Sequence, residues 1–223
     1  VFLGWPAFRV KPLRIQRRLF RDDSRELTRP EYLRLLETAR TQGRERLALL
    51  LETICGTGIR VSEVRHITVE AVGIGQANVD CKGKNRVVFL PKVLYRGRAE
   101  ISLKGKIRTI LLPGKLCRKL LKYARKQKIA SGEIFLTRNE KGISRRQIWA
   151  EMKALCDKAG VAPSKVFPHN LRHLFARTFY RVCRDVARLA DVLGHSSIET
   201  TRIYLISTGT EHAGTLARLG LVC

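Results

Sequence analysis

Two stretches of this chain are near copies of one another, set 22 residues apart. Residues 75–94, GQANVDCKGKNRVVFLPKVL, align without a gap with residues 97–116, GRAEISLKGKIRTILLPGKL, and nine positions are identical, among them Lys82/Lys104, Gly83/Gly105, Lys84/Lys106 and Arg86/Arg108. Each copy runs as an alternating segment, a K-G-K turn and a second alternating segment, the pattern of strand, tight turn and strand. A solenoid needs more copies than two to bury its faces, so the expectation is two tandem β-hairpins. In a chain this basic, a K-G-K turn serves equally as a solvated turn or as a phosphate contact.

The rest of the chain reads as helix. Thr28, followed three residues later by Glu31 with Pro30 between, is a capping box, and Tyr32, Leu33, Leu35 and Leu36 are predicted to face a core until Gly43 ends the helix. RERLALLLETICGTG is apolar on most faces and predicts a buried helix stopped by Gly56 and Gly58. A further helix is expected near Arg60. From Val69 the period falls to two, and after Leu116 helical periodicity returns. The fold class expected is α+β, mainly α-helical, with a small antiparallel sheet extended by the duplicated hairpin.

Charge narrows the partner. The 44 Lys and Arg against 19 Asp and Glu leave a formal charge of +25, far beyond what solubility requires, and a polyanion is the natural complement. The basic residues are spread along the chain, not gathered on one amphipathic helix, and no apolar run approaches a membrane span, so duplex DNA ranks above anionic membrane. Six cysteines lie far apart with no C-x-x-C pair, which fits a reduced, cytoplasmic protein with small buried or idle thiols and no metal. Residues 1–24, basic and punctuated by proline, read as the end of a preceding helix and a linker.

Three islands carry residues capable of chemistry. GTGIRVSEVRHIT places Arg60 just after a glycine turn, where backbone N–H groups and a guanidinium can both face an anion. HNLRHLFART places His169 and Arg172 at i and i+3 on one helical face after Pro168. LGHSSIETTRIY sets His195 nine residues ahead of Tyr204. Taken singly, each has an ordinary structural reading: an Arg60–Glu63 pair, a histidine cap, a turn histidine, a core tyrosine.

Together, and in this order, the islands resemble the catalytic domain of the tyrosine recombinase (phage integrase) family, over about residues 26–204. The resemblance implies a catalytic domain at 25–205, a core-binding-domain end and linker at 1–24, and a C-terminal tail helix at 206–223. It also implies that Tyr204 attacks a DNA phosphodiester to form a 3′-phosphotyrosyl link, with Arg60 and Arg172 gripping the non-bridging oxygens. His169 would move a proton with the tyrosine, His195 would hydrogen-bond the phosphate, and a lysine would protonate the leaving 5′-oxygen. The family uses one such lysine, whereas Lys82 and Lys104 hold equivalent positions here, and both stay candidates. Lys84, Arg86, Lys106, Arg108 and Arg202 are expected to contact DNA.

The implied protein is a bacterial, nucleoid-associated recombinase of a mobile genetic element. It would work on double-stranded DNA as a homo-oligomer, a tetramer in synapsis, without ATP, metal or other cofactor. A type IB topoisomerase shares the nucleophile chemistry, and a non-catalytic relic would keep the DNA affinity. The integrase-like wording of the last island argues against the first, and the intact Arg60, His169, Arg172, His195 and Tyr204 argue against the second.

Overall fold

The computed structural model describes residues 23–73, 97–103, 106–195, 197–202 and 204. Helix α1 (Arg29–Thr41) starts at the predicted capping box: the Glu31 N–H donates to Thr28 Oγ1, and the Glu31 carboxylate accepts from the Thr28 N–H at 2.8 Å. Leu35, Leu36 and Ala39 are buried, with Tyr32 packed against the same core. Leu33, expected in the core, is 49% exposed, because it falls off the i, i+3, i+4, i+7 stripe that these four residues define.

Helix α2 (Glu45–Thr57) is the central element, contacted by α1 and by the later helices described below. Its buried hydroxyls are satisfied within the helix, Thr53 donating to Leu49 O at 2.7 Å and Thr57 to Thr53 O at 2.6 Å. Gly58 ends it in the left-handed conformation at φ +64°, its N–H donating to Ile54 O. Gly56, also expected as a stop, is an exposed position inside the helix. The element expected near Arg60 is a 3₁₀ turn, Val61–His66.

The strand predicted from Val69 is instead a short helix, α3 (Val69–Gly73). The Thr68 hydroxyl accepts from the Ala71 N–H at 3.1 Å, and this local cap together with burial of Ala71 and Val72 outweighs the β-branched composition. Strands β1 (Gly97–Leu103) and β2 (Lys106–Leu112) pair antiparallel, Gly97 opposite Leu112 and Leu103 opposite Lys106, so the second copy of the repeat forms the expected hairpin. The first copy, residues 75–94, lies outside the described residues, as do residues 1–22 and 205–223. Among the described residues the sheet has these two strands.

Helix α4 (Gly114–Lys126) follows directly and buries Leu116, Cys117, Leu120, Tyr123 and Ala124 along one face. Helix α5 (Arg145–Lys153) is capped by Ser144, whose hydroxyl accepts from the Gln147 N–H, and α6 (Cys156–Ala159) adds a single turn. Helices α7 (Pro168–Cys183), α8 (Val186–Leu193) and α9 (Ile198–Arg202) complete the described chain. The main core holds Leu50, Ile54, Ile59, Phe135 and Leu171; a smaller cluster joins Ala176, Leu189, Leu193 and Tyr204 with Phe175, Phe179 and Tyr180. Helix α7 contributes Leu171 to one cluster and Ala176 to the other, and its position is therefore fixed from both sides.

The segment ahead of α1 is fastened to α7 as well. Asn170 Nδ2 donates to Arg25 O at 2.7 Å, and Arg177 pairs with Glu26 while Nη2 donates to Leu27 O at 3.1 Å. Cys55, Cys117, Cys156 and Cys183 are free thiols. Among the described residues no helix is long and apolar enough to cross a membrane.

Candidate active site

Gly58 brings the first arginine into place. Besides its positive φ, a β-carbon at this position would stand 2.4 Å from Phe175 Cδ1 on α7, so the turn after α2 lies directly against the helix that carries His169 and Arg172. Two residues on, Arg60 is the N-cap of the 3₁₀ turn, its N–H donating to Glu63 Oε2 at 2.7 Å and its Nη1 to Glu63 Oε1 at 3.1 Å. The Glu63 side chain is 1% exposed and the Arg60 side chain 44% exposed. A buried carboxylate thus anchors one edge of a guanidinium whose remainder reaches solvent, and the Arg60–Glu63 pair and a functional Arg60 coexist.

Arg172 is the most heavily engaged residue of the site. It is 2% exposed, and its guanidinium donates through Nη1 to Gly58 O and through Nη2 to Leu193 O at 2.7 Å, with Nη2 also 2.9 Å from His195 Nε2. One side chain therefore holds the turn before Arg60, the end of α8 and the histidine that follows. A planar fork of donors suits three acceptors in different directions, where an ammonium would not.

Gly194 ends α8 at φ +64°, and the turn it permits is closed by the His195 N–H donating to Ala190 O at 2.9 Å. His195 Nδ1 lies 2.8 Å from Thr201 Oγ1. Tyr204 sits two residues beyond α9, in a turn and not within a helix, its N–H donating to Thr201 O at 3.0 Å. Its side chain is 5% exposed. Three histidines surround its ring: His173 at a centroid distance of 4.4 Å, His195 at 5.6 Å and nearly parallel at 20°, and His169 at 5.8 Å.

The electrostatics favour neutral imidazoles at His169 and His173. His169 lies at the N-terminus of α7, still partly open to solvent, and partial burial of its ring, followed by the Arg172 and Arg60 charges, lowers its pKa below the ordinary value. His173 is pushed down to about 4, by burial first and then by His169 and Arg172. Two guanidiniums, neutral imidazoles and a phenol form a site rich in fixed positive charge, suited to an anionic group with charge developing on its oxygens. Among the described residues no group of three or more His, Cys, Asp and Glu is placed to hold a metal ion.

The structure brings together Arg60, His169, Arg172, His195 and Tyr204. Lys82, Lys84, Arg86 and Lys104 lie outside the described residues; Lys106 and Arg108 are on β2, opposite Leu103 and Ile101, and Arg202 ends α9. Two residues at the site escape the sequence reading. His173 stands at i+4 from His169, a spacing that itself announces a shared helix face. Thr201 has only its place three residues before Tyr204 to mark it.

The described residues thus bring two arginines, three histidines and a buried tyrosine together from segments that lie far apart in the chain. A model of the phage integrase family matches residues 25–210, and the chain belongs to that family. Tyrosine recombinase XerA of Thermococcus kodakarensis is 31% identical over 206 residues, an alignment that takes in 89% of this chain and 62% of that protein. Tyrosine recombinase XerD of Staphylococcus saprophyticus is 36% identical over 181 residues, 78% of this chain and 55% of that protein. The chain thus spans a little over half the length of these relatives. Its fold is shared with XerH site-specific recombinase in a post-cleavage complex with palindromic difH substrate, at TM-score 0.65 and 20% identity over 88% of this chain and 53% of that one.

Proposed function

We propose that this chain is the catalytic part of a site-specific DNA recombinase that cleaves and rejoins strands through Tyr204. The observation that carries the reading is the convergence on one buried phenol of His169, His173 and His195, with His195 bonded to Arg172 and Arg172 bonded to the turn before Arg60. The Tyr204 oxygen attacks a DNA phosphorus, its proton passing to a neutral imidazole, for which His169 is the assigned acceptor. The phosphorus–O5′ bond breaks as the phosphotyrosyl bond forms. The departing oxygen takes a proton from Lys82 or Lys104 and is left as a 5′-hydroxyl that attacks a partner strand in the reverse step.

Arg60, the more open of the two guanidiniums, is assigned to the non-bridging oxygens. Arg172 supplies fixed charge behind it and holds His195 in place. The net positive chain binds duplex DNA with an affinity that falls steeply as salt rises. We assign the reaction to recombination of a mobile element by a tetramer in synapsis, the working form of the family.

A suicide DNA substrate tests this reading. The wild-type chain leaves a covalent protein–DNA adduct with EDTA present, and Tyr204→Phe, which keeps the ring and its contacts, lowers adduct formation more than about a thousandfold while duplex binding persists. An adduct mapped to Tyr32, Tyr95, Tyr123 or Tyr180, or metal-dependent cleavage that leaves no protein on DNA, overturns it.

A further inference from the structure

We infer that Thr201 is a positioning residue that fixes the proton of His195 on Nδ1, so that any proton His195 exchanges during the reaction is carried at Nε2, beside Arg172. A guanidinium has donors and no acceptor, so the 2.9 Å approach of Arg172 Nη2 to His195 Nε2 is an N–H donating into a ring lone pair. The ring's hydrogen is then on Nδ1, and at 2.8 Å it donates to Thr201 Oγ1. Thr201 is 0% exposed, which keeps bulk water from competing for that hydroxyl.

The same residue reaches the nucleophile. Through its carbonyl Thr201 accepts the Tyr204 N–H at 3.0 Å, while its hydroxyl accepts from the His195 ring, so one residue sets the histidine's tautomer and the placement of the tyrosine backbone. His195 is anchored from the other side by its own N–H on Ala190 O, and its ring lies nearly parallel to that of Tyr204 at 5.6 Å. Thr200, its neighbour, is exposed and makes no such contact with the ring, so the assignment falls on one of two adjacent threonines.

The inference rests on the recombinase reading for its reaction readout and is independent of it for its spectroscopic one. In the full 223-residue chain, ¹⁵N-labelled imidazole spectra report the His195 tautomer, its signal identified by its loss in His195→Ala. Wild type and Thr201→Ser show the Nδ1–H form; Thr201→Val, matched in shape but without the acceptor, loses that preference. On suicide DNA, Thr201→Val slows adduct formation by about ten- to a hundredfold at unchanged duplex binding, and Thr201→Ser restores most of it. In a His195→Ala background, Thr201→Val adds no further loss, which a purely structural role would not produce. Should Thr201→Val fail to fold, Thr201→Ser and the wild-type tautomer decide.

A wild-type His195 protonated at Nε2 alone, a Thr201→Val protein that cleaves at the wild-type rate, or an equal loss with His195 absent overturns the inference. A wild-type chain that forms no adduct yet shows the Nδ1–H form, lost in Thr201→Val, fails the recombinase reading and leaves the positioning intact.

Discussion

Arg172 and Gly58 are separated by 114 residues and joined by one hydrogen bond, from a buried guanidinium to the carbonyl of a left-handed glycine. The same guanidinium donates to Leu193 O, and so the two turns that deliver Arg60 and His195 share a single buried cation.

Arg172→Lys is therefore expected to fail as a conservative change. One ammonium cannot meet Gly58 O, Leu193 O and His195 together, and the buried carbonyls it abandons cost about 1–3 kcal/mol each. We expect a destabilisation of about 2–4 kcal/mol, read from the urea midpoint at unchanged slope, together with loss of adduct formation. A variant as stable as wild type would show that these bonds contribute little.

His173 gives the fold an acid-sensitive element. In the folded chain its pKa is near 4, whereas an imidazole in the unfolded chain takes its proton near 6.5. Between those values the unfolded state binds a proton that the folded state refuses, so stability falls as pH drops from about 6.5 towards 4 and levels off below. With partial solvent access allowed for, the loss is at most about 3 kcal/mol. His169, lowered too, acts in the same direction. His173→Gln removes its share, and its urea midpoint should decline less than that of wild type between pH 7 and 5; parallel declines would refute the assignment.

The duplicated turn offers a comparison internal to the chain. One leaving oxygen needs one proton donor, so Lys82→Ala and Lys104→Ala should differ in strand cleavage by about a hundredfold or more. A 5′-thio leaving group, which needs no proton, should restore the more damaged variant. Equal and mild effects would mean that neither lysine is the general acid.

Gly58→Ala combines two penalties, a left-handed backbone that costs a non-glycine residue about 1–2 kcal/mol and a collision with the Phe175 ring. We expect a loss of about 2–4 kcal/mol in thermal or urea unfolding. Adding Phe175→Leu should recover the steric part only. Full recovery would show that backbone strain is negligible at this position.

Much of this architecture is legible in the sequence where the signal is local. Thr28 with Glu31, Gly58 and Gly194 mark helix ends because caps and left-handed turns are decided by a few neighbouring residues. The spacing of Arg60, His169, Arg172, His195 and Tyr204 is legible as ordered islands. The failures are those in which tertiary packing decides. Val69 and its β-branched neighbours read as strand, yet the Thr68 cap and burial of Val72 give helix. Leu33 is as apolar as Leu35 and Leu36, and its place off the stripe they form with Tyr32 and Ala39 is what leaves it out of the core. His173 shows its helix face in its spacing, but its depressed pKa depends on burial beside Tyr204 and Arg172. Between Thr200 and Thr201 the letters offer only the distance to Tyr204; the turn at Gly194 decides, by bringing His195 over Thr201.

In the gene, the contact between Gly58 and Phe175 constrains the order in which the two positions can change. Every single-base substitution in a glycine codon that alters the amino acid adds at least a β-carbon, and any β-carbon at position 58 meets the Phe175 ring. Every missense change at codon 58 therefore carries a steric cost while Phe175 stands. A smaller side chain at 175, arriving first, lowers that cost. Even then Asp, which one base change reaches from two of the four glycine codons, is the best replacement at 58, since its side chain tolerates the left-handed backbone that remains.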